Sequence, residues 1–293
     1  MTYAKVRGVE LNYRVFGTSG PWVALSPGGR RGMDEIAGLA SALGAAGYRV
    51  LIHDRRNTGS SELSFEGAGN EFEIWADDLF ELLNMVGAQT AIIGGSSSGC
   101  RLSILLALRH PETVRALLMM RVTGGEFAVR RLSRRYYTDY IDAARTGGIE
   151  AVAQTEHFRA LIAANPSNAA RLSATDPALF IATMKRWRDG LEEGLTTPVL
   201  GASERALRSL TVPTCIIPGN DNTHSLEVGR LAHRLIAGSE IHELRPDHQD
   251  VDIVPMAQWV DDETLAAVFI DFLRRRVLSG QSTAPHRADQ ALS

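Results

Sequence analysis

Ala91-Ile92-Ile93-Gly94-Gly95-Ser96-Ser97-Ser98-Gly99-Cys100 is the stretch that decides the fold. An apolar run passes through Gly95-Ser96-Ser97-Ser98-Gly99 into a second apolar stretch with helical spacing. A strand-to-helix elbow presents a nucleophilic serine in this form. The central residue is held in a strained backbone conformation, and glycines two positions to either side let strand and helix approach without a Cβ between them. Gly95 and Gly99 flank Ser97 at that distance, so Ser97 is the expected nucleophile, with Ser96 and Ser98 off the apex. G-x-S-x-G alone also describes an ordinary Gly/Ser turn, and only the flanking elements separate the two.

Those elements alternate. Val6 to Phe16 reads as a hairpin about Gly8, and Trp22 to Leu25 as a short buried strand. A helix over Asp34 to Ala46, a strand over Tyr48 to His53 and a one-faced apolar helix over Phe72 to Val86 lead to the elbow. Val114 to Val122 is the next strand. The pattern predicts an α/β protein with a mostly parallel, doubly wound sheet, helices on both faces and an antiparallel N-terminal hairpin. From Thr123 to about Leu210 the chain reads as helices without strands: Phe127 to Arg145, Ile149 to Ala164, Pro177 to Leu191 and Ser203 to Leu210. Strand character resumes at Thr214 to Ile217 and Glu240 to Leu244, with helices over Ser225 to Ile236 and Thr264 to Arg276. The expected organisation is a core of residues 1–122 and 211–277, a helical cap of 123–210 lying over the strand ends, and a disordered polar tail of 278–293.

At 293 residues the chain can bury a full core without staples, and its two cysteines, Cys100 and Cys215, lie in apolar segments as reduced core residues do. Its start lacks the features of a signal peptide, and no apolar run reaches the roughly 18 residues of a membrane span. A net charge of -3 offers no global attraction to nucleic acid or an anionic membrane. The expectation is a cytoplasmic protein that acts on a small molecule, with a homo-oligomer compatible with the sequence.

A serine hydroxyl needs a base to take its proton, and the base needs a carboxylate to orient it. In doubly wound sheets such partners stand past the carboxyl ends of later strands. Asp221 follows Cys215-Ile216-Ile217-Pro218-Gly219, and His248 follows the strand ending near Leu244, in the order Ser, Asp, His. Glu126, just after the strand ending near Val122, is an acid that the family resemblance set out below offers as the alternative. His224 is the rival base, or a residue lining the pocket. His248, Asp250 and Asp252 alternate as metal ligands can, yet no second cluster completes a coordination sphere, and no metal is expected. Asp54 and Arg56 read as an ion pair bracing their turn.

Four motifs together resemble the α/β-hydrolase superfamily over nearly the whole chain. Leu25-Ser26-Pro27-Gly28-Gly29 stands where the family usually has a His-Gly loop, and Asp54-Arg55-Arg56-Asn57-Thr58-Gly59-Ser60-Ser61 resembles its DxRGxGxS turn. The serine elbow is the third, and Gly219-Asn220-Asp221-Asn222-Thr223-His224 resembles the acid loop, one residue short of the commoner spacing. Pro27 replaces the usual histidine, and Asn57 a turn glycine. The resemblance implies an oxyanion hole of the Gly29 and Ser98 N–H groups. It implies a serine hydrolase, without cofactor, that cleaves a small organic ester, lactone or activated carbon–carbon bond. The same elbow also serves cofactor-independent lyases, haloperoxidase-like enzymes, acyltransferases and non-catalytic small-molecule receptors. Arg30, beside the expected oxyanion loop, and Arg121, at a strand end, are candidates to pair with a substrate carboxylate, and Trp187 is a candidate aromatic wall.

Overall fold

Eight strands form one sheet in the order β1-β2-β4-β3-β5-β6-β7-β8. The computed structural model describes residues 2–278, so the expected disordered tail falls, from 279 onward, outside the described residues. β1 (Thr2–Val6) and β2 (Val9–Phe16) make the antiparallel hairpin, and β2 also runs antiparallel to β4 (Arg49–His53). From β4 on, the sheet is parallel through β3 (Trp22–Ser26), β5 (Ala91–Ser96), β6 (Val114–Met120), β7 (Thr214–Ile217) and β8 (Glu240–Ile241). β5 is buried along its whole length, as the central strand of a sheet covered on both faces must be.

Each face has its own core. α2 (Glu71–Met85) and α3 (Ser98–Arg109) bury Leu79, Leu82, Leu102 and Leu106 on one side. α1 (Ala37–Ala45) and the last long helix, Asp262–Leu273, bury Leu39, Leu43, Phe269 and Phe272 on the other. Each such side chain contributes about 1.5–3 kcal/mol by leaving water. The helix starts carry their own signals: Asn70 accepts from the N–H groups of Phe72 and Glu73 while Glu73 returns a bond to the Asn70 N–H, the reciprocal capping box.

Between β6 and β7 the chain leaves the sheet for α4 (Glu126–Ser133), α5 (Asp139–Ala153), α6 (Glu156–Ala164), α7 (Ser167–Ser173) and α8 (Pro177–Glu192). The break expected after Arg145 is a kink within α5, at Gly147 and Gly148, where Gly148 takes φ +68°. Trp187 is 1% exposed and packs with Phe65 at 6.3 Å, next to an edge-to-face Phe65–Phe180 pair at 5.0 Å. Among the described residues it does not line either cavity that touches Ser97, which corrects its candidacy as a substrate wall: α8 turns its apolar face, Trp187 included, into an aromatic cluster with Phe65 and Phe180.

The turn after β4 is also held differently from the expectation. Asn57 adopts φ +63°, the left-handed conformation asparagine tolerates. Arg56 does not pair with Asp54 but with Asp78 of α2, at 2.6 and 2.7 Å. Asp54 instead accepts from Asn12 Nδ2 and the N–H groups of Met33 and Ser60, so it ties three segments together through neutral donors. Among the described residues no helix is long and apolar enough to cross a membrane.

Candidate active site

Sheet order brings the site together. β5, β6 and β7 are neighbours, with Ser96 level with Met120 and Met120 level with Ile217, so the residues that follow each strand emerge side by side. Ser97 follows β5, Arg121 and Thr123 follow β6, and Asp221 follows β7. The Ser97 N–H bonds the Met120 carbonyl at 2.9 Å, and the Arg121 N–H bonds that of Ile217 at 2.8 Å, which locks the three exits in register.

Ser97 takes φ +54°, ψ −109°, a strained conformation for a residue with a Cβ, and it caps α3. The flanking glycines are demanded by close approach: a Cβ on Gly99 would lie 2.2 Å from the Ser26 carbonyl oxygen, and one on Gly95 would lie 2.7 Å from the Gly99 Cα. Ser97 Oγ stands 2.9 Å from His224 Nε2 and 3.1 Å from Thr123 Oγ1. On the far side of the imidazole, His224 Nδ1 lies 2.9 Å from Asp221 Oδ1. An ionised carboxylate only accepts, so Nδ1 carries the proton and Nε2 presents its lone pair to the serine hydroxyl.

The imidazole at Ser97 therefore belongs to His224, not His248. His248 is exposed, with Nε2 3.1 Å from Asn222 Oδ1. The reason is local. β8 has two residues where Glu240 to Leu244 was expected, and the segment after it folds back along the acid loop, the Gln249, Val251 and Asp252 backbones bonding those of Asn220, Asn222 and Thr223. This leaves His248 on the outer side of the bend. Glu126, the alternative acid, is exposed at the start of α4 and pairs with Arg130.

His224 reaches Asp221 because the acid loop curls on itself. Asp221 Oδ1 accepts the N–H groups of Thr223 and His224 at 3.0 and 2.8 Å, the turn an Asp side chain makes with its own following backbone. Gly219 permits the curl, since a Cβ there would lie 2.4 Å from that of His224. Asp221 Oδ2 accepts from the Val254 N–H at 2.9 Å and from Arg121 Nη2 at 2.7 Å. Burial opposes the charge on Asp221, but the hydrogen bond and charge of His224, the Val254 N–H and Arg121 outweigh it and hold the carboxyl well below its ordinary range. For His224, burial leads, the nearby Arg121 adds to it, and the ring is pushed down to about 4 despite Asp221. The imidazole is thus neutral at physiological pH.

Opposite the histidine, Gly28 and Gly29 lie against the serine, a Gly28 Cβ falling 3.6 Å from that of Ser97. The Gly28 carbonyl accepts from the Arg31 N–H, and the buried Arg55 guanidinium reaches the Gly29 carbonyl at 2.9 Å. In a trans peptide the N–H points away from its carbonyl, so anchoring Gly28 O turns the Gly29 N–H to the other side. The N–H groups of Gly29 and Ser98 meet no acceptor among the described residues.

The two arginines nominated from sequence are already neutralised. Arg30 is buried against Glu71 at 2.7 Å, with Tyr137 donating to the same carboxylate, and Arg121 is the partner of Asp221. Both line a cleft of about 760 Å³ that opens from Ser97 and His224 and is also lined by Tyr136 and Tyr140 from the helical segment between β6 and β7. A groove of about 980 Å³ continues from it between α1 and α6, sharing Arg30 and Met256 but touching neither Ser97 nor His224. Thr123 and Arg55 were not singled out in the sequence; both stand at strand exits, the one signal that could have found them.

The family model described as alpha/beta hydrolase fold matches residues 21–146. With the sheet order above, this match gives the chain the alpha/beta hydrolase fold. An uncharacterised hydrolase of Bacillus subtilis (strain 168), YraK, is 35% identical over 114 residues, 39% of this chain and 41% of that one. The chain thus matches about two-fifths of that relative's length. A 2-hydroxymuconate semialdehyde hydrolase of Pseudomonas sp. (strain CF600) is 26% identical over 230 residues, 76% of this chain and 75% of that one. Among solved structures, the enol-lactonase from Burkholderia xenovorans LB400 superposes with a TM-score of 0.61 at 22% identity, covering 93% of this chain and all of that one (100%). The meta-cleavage product hydrolase CumD of Pseudomonas fluorescens IP01 superposes with a TM-score of 0.64 at 20% identity, covering 94% and 98%. Both likenesses concern the fold that this chain shares with them.

Proposed function

We propose that this α/β-hydrolase is a serine enzyme that cleaves a small ester, lactone or activated carbon–carbon bond through an acyl-enzyme. The observation that carries the reading is the line Ser97 Oγ, His224 Nε2, His224 Nδ1, Asp221 Oδ1, two contacts of 2.9 Å each. The neutral imidazole takes the hydroxyl proton as Oγ attacks a carbonyl carbon, and Asp221 stabilises the imidazolium formed. Negative charge developing on the carbonyl oxygen meets the unpartnered N–H groups of Gly29 and Ser98, whose fixed orientation costs no reorganisation. His224 then returns the proton to the leaving oxygen or carbon, and a water activated by the same nitrogen releases the acyl group. Thr123 Oγ1, 3.1 Å from Oγ, holds the attacking oxygen in place. The residues named need no cofactor for this chemistry. The names of the similar proteins, a semialdehyde hydrolase and an enol-lactonase, favour small carbonyl compounds over polymers.

The test is labelling with a fluorophosphonate and the pre-steady-state hydrolysis of short p-nitrophenyl esters. The expected result is one adduct on Ser97 and a burst of nitrophenol equal to the enzyme concentration. An unlabelled Ser97 in folded protein, with no burst, would overturn the reading.

A further inference from the structure

Tyr136 brings a hydroxyl to the cleft that the proposed chemistry has not yet used. It sits in a wide π-helical turn, Arg134–Thr138, between α4 and α5, the kind of local helix distortion that recurs at functional sites. Two consecutive tyrosines leave this turn with their rings at 90°. Tyr137 goes into the core and donates to Glu71 at 2.9 Å. Tyr136 lines the cleft, and its hydroxyl has no hydrogen-bond partner among the described residues.

That hydroxyl stands against the loop that faces the nucleophile. A Cβ on Gly29 would lie 2.8 Å from Tyr136 Oη, and one on Gly28 would lie 3.6 Å from the Ser97 Cβ. Glycine at position 29 therefore leaves the room that the hydroxyl takes up. Arg30, the next residue, fixes the pairing. Its Nη2 is pinned by Glu71 at 2.7 Å and donates to the Tyr136 carbonyl at 3.2 Å. Its guanidinium carbon lies 5.4 Å from the centre of the Tyr136 ring and 5.2 Å from that of Tyr137, within reach of a cation–π attraction to both. One buried cation thus ties the loop that carries the Gly29 N–H to the turn that carries the Tyr136 hydroxyl. Burial pushes that hydroxyl above its ordinary value, against the pull of Arg30, so it keeps its proton and remains a donor.

We propose that Tyr136 is a catalytic residue, the third donor of the oxyanion hole, supplied by the helical segment between β6 and β7 to a hole whose other two donors are the Gly29 and Ser98 N–H groups. As Ser97 Oγ bonds to the carbonyl carbon, the carbon–oxygen π pair moves onto oxygen. Tyr136 donates a hydrogen bond to that oxygen and keeps its own proton throughout. A trigonal carbonyl oxygen offers two lone pairs, which the two N–H groups match, and a third appears only in the tetrahedral oxyanion. A third donor consequently favours the transition state over the bound substrate, and its loss falls on kcat and not on KM.

The inference rests on Ser97 being the nucleophile, and the test separates the two. Tyr136→Phe removes one oxygen and keeps the ring. Steady-state hydrolysis of p-nitrophenyl acetate and the rate of fluorophosphonate labelling of Ser97 are measured in wild type and variant, with folding checked by circular dichroism. The variant is expected to lose ~100-fold in kcat, as removal of one oxyanion donor does, with KM changed less than about threefold. Labelling slows with it, because the phosphonyl oxygen enters the same hole. A kcat equal to that of the wild type, or a raised KM with kcat kept, overturns the third donor and leaves the nucleophile standing. Incorporation of 3,5-difluorotyrosine at position 136 supplies a second readout, since it retains ring and hydroxyl but ionises at lower pH. Its kcat is expected to fall on the alkaline side where the wild type is still level. An unchanged alkaline profile overturns the proposal even if Tyr136→Phe does not fold. No turnover of any ester together with an unlabelled wild-type Ser97 refutes the nucleophile itself.

Discussion

Asp221 Oδ1 and His224 Nδ1, three residues apart in the chain, meet at 2.9 Å, so acid and base arrive at Ser97 on one loop. Their union is local: the carboxylate that orients the ring also takes the N–H of the residue bearing it.

Removal of the two candidate histidines should therefore have opposite outcomes. His224→Ala is expected to lower kcat by ~10⁴-fold or more, as loss of the base does in a serine triad. His248→Ala, at an exposed ring that meets Asn222, is expected to change kcat by less than about twofold. Steady-state kinetics on any ester turned over decides it, and the reverse order would put the base on His248.

The pH profile tests the charge arrangement around the imidazole. His224 must be neutral to act, and burial and Arg121 push it below the ordinary value, to about 4. Activity, read as kcat/KM, should stay level from neutral pH downward through 6.5 and fall only as pH approaches that value. Arg121→Met takes away a cation 3.1 Å from Nδ1, so the imidazolium is less disfavoured and the acid limb moves up towards 6.5. A wild-type limb already at 6.5 contradicts this electrostatic picture.

Stability should fall on the acid side for a related reason. His53 is fully buried, neither ring nitrogen has a partner among the described residues, and burial with Arg55 nearby pushes it down to about 3. Both His53 and His224 have folded values below that of the unfolded chain, which takes up protons as pH drops through 6.5 while the folded state does not. Stability is whole above that pH and declines below it, by about 1.4 kcal/mol per pH unit for each ring until its folded value is reached. Urea midpoints at pH 7.5, 6 and 5 measure the slope. Equal midpoints would show that the rings charge without unfolding.

Much of this was legible in the sequence, and the failure has a physical cause. Strand-and-helix alternation, the glycine-flanked elbow and Asp221 past a buried strand all depend on short-range constraints that one stretch of chain carries by itself. The histidine did not, because chain order alone put it after the last strand, and nothing in Arg245-Pro246-Asp247-His248 reports that β8 stops after two residues. The available signal lay in Asp221-Asn222-Thr223-His224: an Asp that accepts from the amides two and three residues on draws that third residue back to its carboxylate.

The backbone of Val254 is clasped at both ends, its N–H by Asp221 and its carbonyl by Arg121 at 2.6 Å. Only peptide groups are used there, and every amino acid except proline supplies both. The segment after β8 can therefore drift in sequence, reshaping the mouth of the cleft through Ile253, Pro255 and Met256, while the base and acid keep their alignment. In this chain the part of the molecule that selects a substrate is free to evolve separately from the part that performs the proton transfer.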